Sequence, residues 1–430
     1  MKTTVLKNVT LLPSCGYGNK TVHVVVTADK ITNIAEELPT IPGADVVECG
    51  GNLLIPAFYN AHCHAAMTLF RGYGEDLPLQ RWLNEKIFPA EEKLTYKSVY
   101  SASKLAIAEM LKRGVASFSD MYMFVDATAE AVLETGIKAN LSRSLVSFDP
   151  DIDMTRDHRL KEAIDLAARY HNAGDGRLKI DFSLHAEYTN VPRACAYVGA
   201  YAKDNGYIMQ LHLSETELEH RECIARHGKT PTAFFNDLGV LDTPTVAAHC
   251  VWVSDEDMEI MAQKGVTAVH NPVSNLKLGS GVMPLRKMLD KGINVALGTD
   301  GVASNNRLDV LREMQTAAIL HKGIWRDPAI TVASDMLPLA TRNGALAQGR
   351  EDCGILEIGA KADLVLMDRN SLHNMPCFDE YAMLAYSADS SDVCMTMVDG
   401  RILYRNGEYT CIDEEHLRFE CREVFAYYFE

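Results

Sequence analysis

The chain has 430 residues, 47% of them hydrophobic, with a formal net charge of −16. It is long enough for one large core with a smaller unit beside it, and its acidity, without any run of Lys and Arg, excludes a nucleic-acid partner. No stretch approaches the roughly 18 consecutive apolar residues of a membrane span, the first residues lack an apolar signal core, and eleven cysteines without CxxC spacing read as reduced thiols, so a soluble cytoplasmic protein without membrane partners is expected.

Residues 1–52 read as short strands and turns, with 21–26 and 46–48 the clearest. The first long apolar strand, 53–61, leads into Asn60-Ala61-His62-Cys63-His64. Residues i and i+2 of a strand share a face, so His62 and His64 project together while Cys63 points away. From about 96 to 300 one phrase recurs: an amphipathic helix, a glycine at its left-handed C-cap, then a β-branched strand. Gly114, Gly136, Gly265 and Gly292 mark it, and Ser254 with Asp257 forms a capping box that opens one of the helices.

The expected buried strands are 53–61, 115–121, 138–146, 178–187, 207–214, 245–251, 266–271 and 294–300. Strands alternating with helices imply an α/β fold with a parallel sheet, either a (β/α)8 TIM barrel or a doubly wound sheet. The reactive side chains favour the barrel. His62 with His64, His185, His212, His249, His270 and Asp300 each fall at or just past the end of a different strand, and in a barrel all those ends open onto one face. Three imidazoles, His62, His64 and His212, with the Asp300 carboxylate suit Zn²⁺ or a similar divalent ion and leave a position for water.

Region 354–410 returns to short strands, with a hairpin through Asp399-Gly400. Neither chain end has enough strands for a stable sheet alone. A composite β-sandwich of 1–55 and 354–410 is therefore expected beside a barrel of 56–353. The closing segment, 411–430, carries Phe419, Val424, Phe425, Tyr427, Tyr428 and Phe429 at helix-like spacing, a helical tail expected to pack on the barrel or on a second subunit. Gly228-Lys229-Thr230 imitates the end of a P-loop, but Cys223 stands where its first glycine is required.

Taken together, "NAHCHAAMTLFRG", "LHLSETELE", "VAAHCV", "HNPVSNLKLGSG" and "LGTDGVASNN" resemble the amidohydrolase superfamily, and within it the 5'-methylthioadenosine/S-adenosylhomocysteine deaminases. The resemblance implies one ion, since Leu184-His185-Ala186-Glu187 stands where binuclear relatives carry a bridging lysine, and it implies Zn²⁺, with Fe²⁺ or Mn²⁺ as substitutes. It gives Glu215, three residues after His212, the role of proton shuttle, and gives His249 the orientation of the attacking water. Asp300 is then both ligand and base. Trp82 and Glu91 match a loop that walls the purine and binds ribose hydroxyls, His185 matches a nucleoside contact, and Arg143 matches an arginine at the substrate's far end. The implied activity is hydrolytic deamination of an adenosine-type purine nucleoside by metal-activated water, in a homo-oligomer. The alternative is an aminohydrolase or chlorohydrolase acting on guanine, a pterin or a triazine.

Overall fold

The computed structural model describes residues 2–18 and 20–429; Met1, Asn19 and Glu430, which the expected units include, lie outside it. Eight parallel strands form the barrel: β1 (Phe58–Cys63), β2 (Val115–Tyr122), β3 (Lys138–Leu145), β4 (Leu178–Leu184), β5 (Met209–Leu213), β6 (Thr245–His249), β7 (Thr267–His270) and β8 (Val295–Leu297). Each pairs with the next in chain order. Across the seam, the Asp300 N–H donates to the His62 carbonyl and the Thr299 N–H to Asn60 Oδ1, both at 3.0 Å. The sheet thus closes on itself and leaves no free edge.

The sequence-level glycines do what their positions require. Gly136 and Gly265 close their helices in the left-handed region, at φ 82° and 66°, where a Cβ would be penalised. Low in the barrel the core is polar. Asn140 Nδ2 and Gln210 Nε2 donate to the buried Asp181 carboxylate at 3.0 and 2.9 Å, and Gln348 reaches in to the Asn60 carbonyl at 3.3 Å. Burial pushes the Asp181 carboxyl up to about 6, with the amide donors opposing.

The expected strand 53–61 is two strands. Leu53–Pro56 pairs antiparallel with Leu364–Met367, Ile55 opposite Val365, and belongs to a second sheet; the chain passes to the barrel at Ala57, whose N–H donates to the Asp363 carbonyl. The second sheet has nine strands drawn from both chain ends. It curls, so that Val24 and Val26 from one end share a core with Met395 and Met397 from the other. The turn Asp399-Gly400, both at positive φ, backs onto Ala28 so closely that a Cβ at Gly400 would collide with the Ala28 carbonyl. A helix, Glu414–Phe429, closes the described chain and lies on the helix Tyr96–Lys112. No helix among the described residues is long and apolar enough to cross a membrane.

Candidate active site

The strand ends of the barrel converge on a cavity of about 460 Å³, and nine of the ten residues given a ligand, catalytic or substrate role in the sequence line it: His64, Trp82, Glu91, Arg143, His185, His212, Glu215, His249 and Asp300. The tenth, His62, lies buried beneath its floor. His270 does not join them. It turns behind the sheet, with Nε2 3.2 Å from Nε2 of His321, so its place at a strand end does not bring it to the mouth. The eighth strand stops at Leu297, and Asp300 stands three residues past it, at φ 60°. Ser214, His249 and Cys250 share this left-handed backbone at neighbouring strand ends, a conformation costly for non-glycine residues that tertiary packing must enforce.

Three of the imidazoles are fixed through Nδ1. His64 donates to the Met121 carbonyl (2.7 Å), His212 to the His185 carbonyl (2.6 Å) and His249 to Asn275 Oδ1 (2.8 Å). Those oxygens only accept, so Nδ1 carries the proton in each ring and Nε2 is presented to the cavity. Asp300 is held in a similar way: Oδ2 accepts from Ser274 (2.6 Å) and Ser304 (2.7 Å), and Oδ1 faces Nε2 of His64 at 3.2 Å and of His62 at 3.7 Å. Neither serine, nor Asn275, was distinguishable as part of the site before folding brought them there.

The charges follow from burial and these contacts. Burial would raise the Asp300 carboxyl, but the His62 and His64 imidazoles facing it hold it well below the usual range. Burial also disfavours the His64 cation, yet Asp300 outweighs it and pushes that imidazole up to about 9. Burial wins at His62 and His185, each lowered to about 4. Glu215, buried, with Oε2 3.8 Å from His249 Nε2, is raised by desolvation first. Its backbone N–H and that of Ser214 donate to the Glu219 carboxylate at 2.7 and 2.9 Å, which sets the turn that aims Glu215 inward.

The donor set suits a divalent cation. His62, His64 and Asp300 form one cluster whose ligand atoms lie within 4.8 Å of one another, and His62, His212 and His249 form another. His62 Nε2, common to both, is buried without a hydrogen-bond partner, a deficit of about 1–3 kcal/mol for a polar atom that coordination would remove. His249 thus stands closer to the ligand group than its expected water-orienting role required.

Farther out, Trp82 is buried in an apolar wall with Leu79, Leu83 and Ile87. Glu91 sits behind it, and burial pushes its carboxyl up to about 7. Arg143 lines the cavity while Nε donates to Glu162 at 2.7 Å. A second guanidinium, Arg159, lines the same cavity. It comes from the helix His158–Tyr170, and nothing in its local sequence marks it.

Residues 53–403 match the model of the amidohydrolase family. A 5-methylthioadenosine/S-adenosylhomocysteine deaminase from Dictyoglomus thermophilum is 45% identical over 378 residues, 88% of each chain. A 5'-deoxyadenosine deaminase from Methanosarcina mazei is 42% identical over 402 residues, 93% of this chain and 92% of that one. The crystal structure of an adenosine deaminase from Xanthomonas campestris with bound zinc superposes at a TM-score of 0.91 and 30% identity, covering 99% of this chain and 98% of its own. The family match takes in every residue that lines the cavity, and with it the chain belongs to the amidohydrolase family, whose members depend on a metal ion.

Proposed function

We propose that the chain deaminates adenosine-type nucleosides hydrolytically, giving the inosine analogue and ammonia, with adenosine, 5'-deoxyadenosine, methylthioadenosine and S-adenosylhomocysteine as the substrate class. One observation carries the reading: a single cavity sets the buried Glu215 beside His249 and Asp300 at its floor, and Glu91 with Trp82 on its wall. Relatives named as deaminases of these nucleosides support it.

In this reading His62, His64, His212 and Asp300 hold one divalent ion, Zn²⁺ first and Fe²⁺ or Mn²⁺ by the same donor chemistry; the zinc in the Xanthomonas relative supports that order. When bound, such an ion supplies Lewis acidity that makes water a usable nucleophile near neutral pH. Asp300, held ionised, takes a proton from the attacking water. Glu215, whose carboxyl burial raises, gives a proton to N1 of the adenine, and C6 becomes electrophilic. His249 presents its bare Nε2, which accepts from an O–H of the attacking water and so orients its oxygen toward C6. A proton delivered to the amino nitrogen lets ammonia depart, and the 6-oxo purine remains.

The outer groups define the nucleoside. Trp82 walls the ring, Glu91 accepts from two vicinal ribose hydroxyls, and His185 contacts the sugar side. Arg143 and Arg159 face the 5' end, where homocysteine would present a carboxylate. The enzyme is, on the same proposal, a cytoplasmic homo-oligomer. An ammonia-release screen over adenosine, 5'-deoxyadenosine, methylthioadenosine, S-adenosylhomocysteine, guanine and a pterin tests it. Turnover confined to the adenosine-type compounds is expected; faster release from guanine or the pterin overturns the assignment.

A further inference from the structure

We infer that the C-terminal helix is a working part of the nucleoside site, with Tyr428 as the residue that positions the segment bearing Glu91. The inference rests on the proposal above that Glu91 binds ribose. The segment cannot hold its own shape. It is a single α-turn at Leu79–Trp82, a π-turn at Leu83–Ile87 and another α-turn at Phe88–Glu91. Pro89 offers no N–H to the ladder, and the continuous run 79–91, interrupted by the π-turn, is short enough to be marginal in water on its own.

Support comes from the far end of the chain. Val424 and Tyr428 share an apolar cluster with Trp82, Leu83, Ile87 and Ala90. That contact is non-directional and fixes only proximity. The directional restraint is the Tyr428 hydroxyl, which donates to the Lys93 carbonyl at 2.5 Å and meets Ser98 Oγ at 2.9 Å, 330 residues away in sequence.

Both partners are strategic. Lys93 lies two residues past Glu91, in the turn where its own N–H returns to the Ala90 carbonyl and the Leu94 N–H to the Glu91 carbonyl. Ser98 is half of the capping box with Thr95 that opens the helix Tyr96–Lys112. One phenol therefore ties the end of the Glu91 turn to the start of the rigid helix behind it. Tyr428 does not line the cavity; it acts through Glu91 as a positioning residue.

Tyr428→Phe keeps the ring in the apolar cluster and removes only the hydroxyl. Its kinetics are compared for adenosine and 2',3'-dideoxyadenosine. The expected result is a KM for adenosine about three- to tenfold higher, the size of one neutral hydrogen bond, with kcat and the dideoxy substrate unaffected. In Glu91→Gln, adding Tyr428→Phe should cost nothing more, since the two act on one contact. An unchanged KM, or an equal loss on both nucleosides, overturns the inference. Amide hydrogen exchange at 88–95 reads the same restraint without substrate: faster exchange in Tyr428→Phe is expected, and an unchanged rate overturns it. If the unmodified chain releases ammonia from no adenosine-type nucleoside, the functional proposal falls, and the exchange at 88–95 still decides the role of Tyr428.

Discussion

His249 and Asn275 are locked in one orientation: Oδ1 of the amide lies 2.8 Å from Nδ1 of the ring, and Asn271 Nδ2 approaches the same nitrogen at 3.4 Å. An amide oxygen cannot donate, so the ring proton sits on Nδ1 and Nε2 is left bare toward Glu215. Removing that acceptor frees the tautomer. Asn275→Leu should lose about ten- to a hundredfold in kcat/KM, the usual scale for a group that orients an active-site histidine. Asn275→Asp, which keeps an acceptor, should lose less. Equal losses in the two variants would show that the amide fills space only.

Glu215 is the one buried acid on the cavity floor that does not bond to an imidazole at short range, its nearest being His249 at 3.8 Å. Desolvation raises its carboxyl above the ordinary range, so it holds a proton more tightly than an exposed glutamate does. Glu215→Gln preserves the shape and the Ser280 contact while removing the transferable proton. kcat should fall by about 10²–10⁴, with bound metal and thermal stability unchanged. Steady-state kinetics beside metal analysis separate this from damage to the ligand set.

Most of the barrel is legible in the sequence because its signals are local. Gly136 and Gly265 end helices and a buried strand follows each, and Ser254 opens a helix. The break at Ala57 is silent for the same reason. Leu53 to Tyr59 is buried throughout, so periodicity has no polar residue with which to mark a change of sheet. His249 and His270 both end strands, yet only His249 reaches the cavity; its positive φ of 74° turns the chain, and His270 has no such turn. That difference is made by the packing of the following loops. Arg159, Ser274 and Ser304 are ordinary surface or cap residues by their neighbours, and only the fold puts them at the site.

Arg143 and Arg159 both line the cavity, but Arg143 already spends Nε on Glu162. Arg159 is then the freer partner for a ligand carboxylate. Arg159→Ala should raise KM for S-adenosylhomocysteine by about ten- to a hundredfold, the worth of a charged hydrogen bond. Methylthioadenosine, which has no carboxylate, should be unaffected. Parallel kinetics on the two nucleosides measure the difference directly.

Between the barrel and the small sheet, Lys138 Nζ lies 2.5 Å from Asp363 and 2.8 Å from Asp399, all three buried, and the Tyr59 hydroxyl also donates to Asp363. Burial alone would raise the Asp363 carboxyl, but Lys138 holds it below its ordinary value. A carboxyl lowered by folding adds stability above its unfolded pKa, and that stability is lost as pH falls through the folded value. Asp363→Asn should therefore cost about 3 kcal/mol at pH 7, the low end for removing one partner of a buried ion pair, because the buried Lys138 ammonium is left with Asp399 alone. The deficit should shrink as pH falls below about 4, the ordinary carboxylate value, because the unfolded chain takes up the proton there and the native carboxyl only at lower pH. Urea unfolding at the two pH values tests both parts.

Glu91 supplies a pH dependence of binding. Burial pushes its carboxyl up to about 7, with His64 pulling the other way. Below that value the group is protonated, and one oxygen becomes a donor where two acceptors are needed for vicinal hydroxyls. Affinity for a ribonucleoside should therefore rise as pH increases through about 7. Binding of the product inosine, measured calorimetrically from pH 6 to pH 8.5, isolates this step from the chemistry at Glu215. The wild-type affinity should climb and then level, whereas Glu91→Gln should bind weakly at every pH and follow no such curve. A wild-type affinity that is flat over this range would remove Glu91 from the ribose site.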